Sequence, residues 1–393
     1  MSSKGWNVLK IGNIGRIVTG KTPPTQYAEN FGNKYPFITP RDMSGQKRIN
    51  QTERYLSEKG KNEVKNCLLP VNAICVSCIG SDMGKVVMTT TNSITNQQLN
   101  SIICNDSFNP DFIYYALVNI SSGLRNIGHN STAVPILNKT DFSNFEISVP
   151  DIFTQRRIAE ILSALDDKIE LNRQTNATLE AIAQAIFKEW FVDFNFPGAT
   201  GELVESELGM IPKGWRVGKL EEIVTNFDRK RVPLSSRERE NRKGAFPYYG
   251  AASILDYVDD YIFDGVYLLM GEDGTVITED GKPVLQYVSG KFWVNNHTHV
   301  LQGKKPFSTE FVLLQLKNTN VNLIVTGAVQ PKINQGNMNE LPVVIPDEFT
   351  LLSFQDTITS IFSNILDTEQ ETSILKGIRD NLLPKLMNGE IDV

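Results

Sequence analysis

Pro150-Asp151-Ile152-Phe153-Thr154 returns 196 residues later as Pro346-Asp347-Glu348-Phe349-Thr350, and each copy opens a long run of regularly spaced apolar residues. After the first copy come Ile158, Leu162, Leu165 and Ile169, then Asn172 and Asn176, then Leu179, Ala183, Ile186 and Trp190, with gaps of four and three in alternation. That spacing keeps one face along a helix and is the seam of a coiled coil. The same positions in the second copy hold Phe354, Ile358, Ile361, Ile365, Thr368, Thr372, Leu375, Arg379, Leu382 and Leu386, with the polar pair at the same central height. Two such seams are predicted to bury each other as an antiparallel pair. Asn172 and Asn176 then hydrogen-bond near Thr368 and Thr372, because an unpaired amide on an apolar face costs about 1–3 kcal/mol. Residues 154–190 give a rod of roughly 55 Å at about 1.5 Å per residue. Pro384 predicts that the second helix ends or frays before Leu386. The competing expectation is that each helix lies alone on its own globular lobe.

Outward from the helices, the duplication extends to whole domains. Trp6-Asn7-Val8-Leu9-Lys10-Ile11 is echoed by Trp215-Arg216-Val217-Gly218-Lys219-Leu220, Tyr35-Pro36-Phe37 by Phe246-Pro247-Tyr248, and Ile94-Thr95-Asn96-Gln97-Gln98 by Trp293-Val294-Asn295-Asn296-His297. Between these marks run short β-like segments such as 73–77 and 265–270, with a helix expected at 112–120, so each half reads as α+β. Phe191 to Gly214 carries three prolines or glycines before Gly209 and three more residues of that kind from there on, and reads as a linker. The expected organisation is a lobe at 1–150, a helix at 151–192, a linker at 193–214, a second lobe at 215–346, and a second helix with its tail at 347–393.

A chain of 393 residues exceeds the usual single core, and no apolar run approaches the roughly 20 residues of a membrane span. Met1 to Trp6 lacks the apolar stretch of a signal peptide, and a reducing cytoplasm is the expected compartment. The net charge of -6 is unevenly spread: residues 12–150 hold 13 basic against 10 acidic groups and 215–346 hold 15 of each, whereas 151–214 hold 6 against 11 and 347–393 hold 3 against 9. Phosphate binding depends on local charge. The lobes therefore stay eligible for DNA, and the acidic helices suit protein partners.

Candidate chemistry is sparse. Gly15 to Thr22 spells the phosphate-loop pattern, but Pro23 and Pro24 bar the helix on which that mechanism depends, so Lys21 is read as a surface lysine open to phosphate. Cys75-x-x-Cys78 with Cys67 and Cys104 is read as buried free thiols and not as a zinc site, and no metal is expected. His297-Thr298-His299 is read as a polar-contact pair. No catalytic constellation can be named from spacing, and the chain reads as a binder. Basic clusters with aromatic neighbours mark the candidate DNA-binding residues: Arg41, Lys47, Arg48, Arg54, Lys85 and Arg125 beside Tyr55 in the first half, and Arg229, Lys230, Arg231, Arg237, Arg239, Arg242 and Lys243 beside Tyr248 and Tyr249 in the second. Ser81 and Asp273 join them from two matching turns, Gly80 to Lys85 and Gly271 to Thr275, where a backbone can approach a partner closely.

Several of these stretches resemble the specificity subunits of type I restriction-modification systems. The resemblance rests on Phe191-Val192-Asp193-Phe194, on Glu207-Leu208-Gly209-Met210-Ile211-Pro212-Lys213-Gly214-Trp215, on Leu382 to Ile391, and on the helix entry Pro150 to Arg157. Leu351-Leu352-Ser353-Phe354 departs from Gln155-Arg156-Arg157-Ile158 and predicts unequal contacts by the two helices. The resemblance implies two target recognition domains separated by an antiparallel coiled coil in a pseudo-twofold duplication, each domain reading half of a split DNA site. It implies a non-catalytic chain that docks adenine methyltransferase subunits and restriction subunits, with S-adenosylmethionine, ATP and Mg on those partners. Two other readings stay open: the specificity chain of a two-subunit system that cuts outside its site, and a coiled-coil scaffold that binds proteins.

Overall fold

The computed structural model describes residues 5–129, 136–327 and 330–393. It divides into two compact units, Met1–Arg173 with Gln370–Val393, and Gln174–Glu369. The boundary falls inside both long helices, Ile152–Phe191 and Glu348–Met387, so each unit holds one globular lobe and a part of each helix.

In the first unit the main sheet has five strands in the order Gly15–Thr19, Leu99–Cys104, Ile74–Ser77, Val86–Thr89, Arg48–Ile49. In the second, Val224–Asn226, Thr298–Gly303, Tyr267–Gly271 and Leu285–Val288 form the counterpart in the same sense. A smaller sheet accompanies each, and there the repeated sequence marks meet. Phe37 lies opposite Ile94 in a parallel pair, and Tyr248 lies opposite Trp293 in another. A two-stranded ribbon closes each lobe just before its long helix, Asn7–Lys10 with Glu146–Val149 and Arg216–Lys219 with Pro342–Ile345. Both lobes are therefore one α+β design, used twice.

The Pro-Asp-x-Phe-Thr repeat is a helix cap. Asp151 accepts hydrogen bonds from the backbone N–H groups of Phe153 and Thr154 and from the Thr154 hydroxyl, and Asp347 accepts from the Thr350 N–H and hydroxyl. Such a cap satisfies donors that the first helical turn leaves unpaired.

Within each unit the two helices run antiparallel and touch. In the first, Asn172 Nδ2 donates to Glu371 Oε2 at 2.8 Å and to Thr372 Oγ1 at 3.3 Å, and Lys168 pairs with Glu371 at 3.0 Å. In the second, Asn176 bonds to Thr368 and to the Ile365 carbonyl, and Phe187 and Phe191 both pack on Phe354. The competing expectation also holds in part. Ile158 and Leu162 are buried with Phe112, Phe142 and Leu386 in the first lobe's core, while Phe354, Ile358 and Ile365 join Phe187, Phe311 and Leu313 in the second. Leu165, Ile169 and Leu375 are half-buried, and Leu179, Ile186, Ile361 and Leu382 pack at the margins of those cores. The seam thus serves lobe and partner helix together.

Two expectations are corrected. The second helix passes through Pro384 to Met387. Proline inside a helix costs about 3 kcal/mol, but burial of Leu383, Leu386 and Met387, each worth about 1.5–3 kcal/mol, holds the last turn in place. The stretch expected as a plain linker is built structure. Leu203–Ser206 and Gly209–Pro212 form a hairpin with Gly209 at φ +94°, and Phe196 stacks on Trp215 with ring centroids 5.0 Å apart. The Trp215 indole donates to Asp347 at 3.0 Å, which ties this segment to the cap of the second helix.

Candidate nucleic-acid interface

The basic residues of the first lobe divide into structural and available ones. Lys47 is corrected from DNA contact to core. Its ammonium sits 2.7 Å from Asp111 Oδ1, 2.6 Å from Ser163 Oγ and 4.7 Å from the centre of the Tyr115 ring, with only 5% of the side chain exposed. A charge so enclosed is stable only because it is paired. Arg48 shares the same carboxylate at 2.8 Å and also bonds to Asn72. Lys85 pairs with Asp82 at 2.8 Å and reaches the Pro40 carbonyl. Arg54 lies 4.2 Å over the Phe31 ring, while its residue stays exposed. Lys21, Arg41 and Ser81 are exposed, and neither cation forms an ion pair among the described residues. Arg125 falls in the helix Pro110–His129, and its side chain lies outside the described residues. Gly15–Thr19 is a strand and residues 20–24 form no helix, so the phosphate-loop pattern forms no such loop.

The second lobe sorts the same way. Tyr248 is corrected to a core residue: it is 1% exposed, and its hydroxyl accepts from the Leu234 N–H at 2.9 Å. Tyr249 is half-buried edge-on against Phe292. Arg231 is likewise internal, donating to Glu272 Oε2 and to the Thr298 carbonyl, both at 2.7 Å. Arg242 pairs with Asp259 at 2.9 Å and lies 4.8 Å over Trp293, and Lys243 pairs with Asp256 at 2.7 Å. Asp273 is committed to Lys332 at 3.1 Å and to His297 at 3.4 Å. Arg229, Lys230 and Arg237 remain exposed without an ion pair among the described residues.

Sequence reasoning missed the centre of this lobe. His299 is fully buried, with Nδ1 at 2.6 Å from Asp228 Oδ2 and Nε2 at 2.8 Å from the Ile333 carbonyl. Burial pushes the Asp228 carboxyl upward, but the His299 hydrogen bond and charge outweigh it and hold the group below the usual range. Asp228, Glu272 and His299 bring three ligand atoms within 4.8 Å of one another, a spacing that suits a metal. Arg231 and the two imidazole hydrogen bonds already engage those atoms within the lobe. The first lobe has a neutral version: Thr19 donates to Asn100 at 2.7 Å, and Asn100 donates to the Leu137 carbonyl at 3.2 Å. The only sequence trace was His297-Thr298-His299, whose acidic partner lies 71 residues away. The four cysteines are free, and burial pushes the Cys75 and Cys104 thiols up to about 12, where they are poor metal ligands.

A duplicated α+β lobe with unpaired cations at its loops, joined to paired helices, defines a class of modular binding protein. The profile of the type I restriction modification DNA specificity domain matches residues 3–181 and again 212–380. The MjaIX specificity subunit of Methanocaldococcus jannaschii, a type I restriction enzyme subunit, is 29% identical over 99% of this chain and 94% of its own length. The HindI specificity subunit of Haemophilus influenzae is 36% identical over 44% of this chain and 39% of its own. A type I restriction-modification S subunit from M. genitalium shares the fold with a TM-score of 0.56 at 17% identity, covering 98% of this chain and 97% of that one. The chain belongs to the type I restriction-modification specificity subunit family and carries the family's domain twice.

Proposed function

We propose that the chain recognises a bipartite DNA sequence, one half per lobe, for a type I restriction-modification complex, and that it catalyses nothing itself. The observation that carries this reading is the repetition of one lobe with exposed, unpaired cations in each copy, Lys21 and Arg41 in the first and Arg229 and Lys230 in the second. Such cations supply phosphate contacts, and neighbouring polar side chains read base edges. The helices, whose segments carry the chain's excess acid, dock adenine methyltransferase subunits, two of them because the docking elements occur twice, and restriction subunits join these. S-adenosylmethionine, ATP and Mg belong on the partners, and the assembly works in the cytoplasm. No helix among the described residues is long and apolar enough to cross a membrane.

Methylome sequencing of the host with and without the gene tests the reading. The expected result is a split motif whose methylation disappears with the gene. An unchanged methylome, with the partner subunits expressed, contradicts it.

A further inference from the structure

Lys21 and Lys230 stand at matching places in the two lobes. Thr19 lies opposite Asn100 in the first main sheet and bonds to it. In the second, Asn226 lies opposite Leu301, and two residues on, Asp228 bonds to His299. Each lysine follows two residues after that bonded side chain, and each is exposed and without an ion pair among the described residues.

The same turn lies beside each of these segments. The Lys21 N–H donates to the Thr95 carbonyl at 2.9 Å, and the Thr22 hydroxyl donates to Gln97 Oε1 at 2.7 Å. Asn96 Oδ1 braces the turn by accepting from the Gln98 N–H at 3.1 Å. In the second lobe Asn295 Oδ1 accepts from the His297 N–H at 2.9 Å, and Arg231 reaches the Asn296 carbonyl. A third segment meets each turn through backbone hydrogen bonds, Cys78 N–H to the Gln98 carbonyl at 2.8 Å in the first lobe, and Glu272 and Asp273 N–H to the His297 carbonyl at 2.9 and 3.4 Å in the second. The residue after the bracing asparagine is an exposed carboxamide in both copies, Gln97 and Asn296.

We infer that these two braced turns are the base-reading edges of the lobes, with Gln97 and Asn296 addressing base edges and Lys21 and Lys230 holding the adjacent phosphates. A carboxamide carries a donor and an acceptor side by side, the pattern that matches the N6 and N7 edge of adenine; in Gln97 the Thr22 hydroxyl takes one lone pair of Oε1 and leaves the second lone pair and the amide N–H groups for a base. A turn fixed by its own asparagine presents that group with little conformational entropy left to lose. The charge runs nearby are weaker candidates because Arg231, Arg242 and Lys243 are paired with carboxylates of the same lobe. The inference rests on the proposed half-site recognition and names the residues that perform it.

The test expresses the full chain with its partner subunits and sequences the methylome of wild type, Gln97→Ala, Gln97→Glu, Asn296→Ala, Lys21→Ala and Lys230→Ala. Gln97→Ala is expected to relax discrimination about tenfold or more at one or two positions of one half-site, leaving the other half intact, and Asn296→Ala to do the converse. Gln97→Glu, which only accepts, shifts the preference at the same positions and shows that a folded variant still reads. The lysine variants keep the motif and lower methylation across all sites, more so at higher salt. Unchanged motifs in both carboxamide variants overturn the inference even though wild type methylates a split site. A wild-type chain that directs no methylation overturns the proposed function, and this inference with it.

Discussion

Arg379 donates from Nη1 to Asp166 Oδ1 at 2.8 Å, and the other oxygen of Asp166 accepts the Tyr115 hydroxyl at 2.7 Å. In the sequence repeat these two helix positions correspond to Ala183 and Phe362, both buried in the second unit's core, with Phe362 edge-on to Tyr287. One copy of the design ties its helices with charge, and the other plugs the same place with a ring. Removing one member of a buried pair costs roughly 3–5 kcal/mol because its partner is left desolvated, whereas a well-packed apolar replacement is nearly neutral. Arg379 keeps 24% of its side chain exposed, so Arg379→Ala should lower unfolding stability by less than a fully buried pair would, about 2 kcal/mol in urea melts. The double variant Asp166→Phe with Arg379→Ala should recover most of that loss, and a double variant no better than the single refutes the equivalence.

Gln155 and Gln355 make the same contact from different turns. Gln155 Oε1 accepts from the Asn109 N–H at 2.9 Å, just before the helix Pro110–His129. Gln355 accepts from the Ser308 N–H just before the helix Thr309–Lys317, although Leu351 occupies the repeat position of Gln155. Gln155→Leu strands the Asn109 N–H and should cost about 1–3 kcal/mol. The substitution Leu351→Gln has no such N–H to meet and should not stabilise. Thermal unfolding of both variants decides this.

Asp228 sets an acid limit on the second lobe. A carboxyl held below its unfolded value of about 3.9 adds stability that is present above that pH and is lost as the pH falls through the lower folded value. Wild type should lose stability in that window. Asp228→Asn, measured by circular dichroism during acid titration, should start less stable near neutrality and show a shallower acid limb. Parallel limbs would show that the group contributes no such linkage. Thr19 and Asn100, at the matching place in the first lobe, do not titrate and supply no counterpart.

Much of the architecture was legible because it repeats. The offset of 196 residues, the alternating seam and the polar pair at its middle are local patterns, and they gave both helices, their antiparallel contact and the Asn176–Thr368 layer. Individual side chains were far less legible. Lys47, Arg231 and Tyr248 looked like exposed cluster members because Asp111, Glu272 and Leu234, which hold them, are separated in sequence and carry no mark of it. Pro384 and the hairpin at 203–212 were misread because burial against a lobe overrides what Pro and Gly dictate locally. The unequal helix contacts expected from Leu351 proved to be compensated one turn later by Gln355.

Each lobe is held to read its half of the site alone, and exchanging one lobe tests this most directly. Residues 215–346 are replaced by the corresponding lobe of a family member with a different known motif, and the methylome is sequenced. The account predicts that one half of the motif is replaced, while the other half and the spacing between them stay as they were. A motif altered in both halves, or in neither, contradicts it.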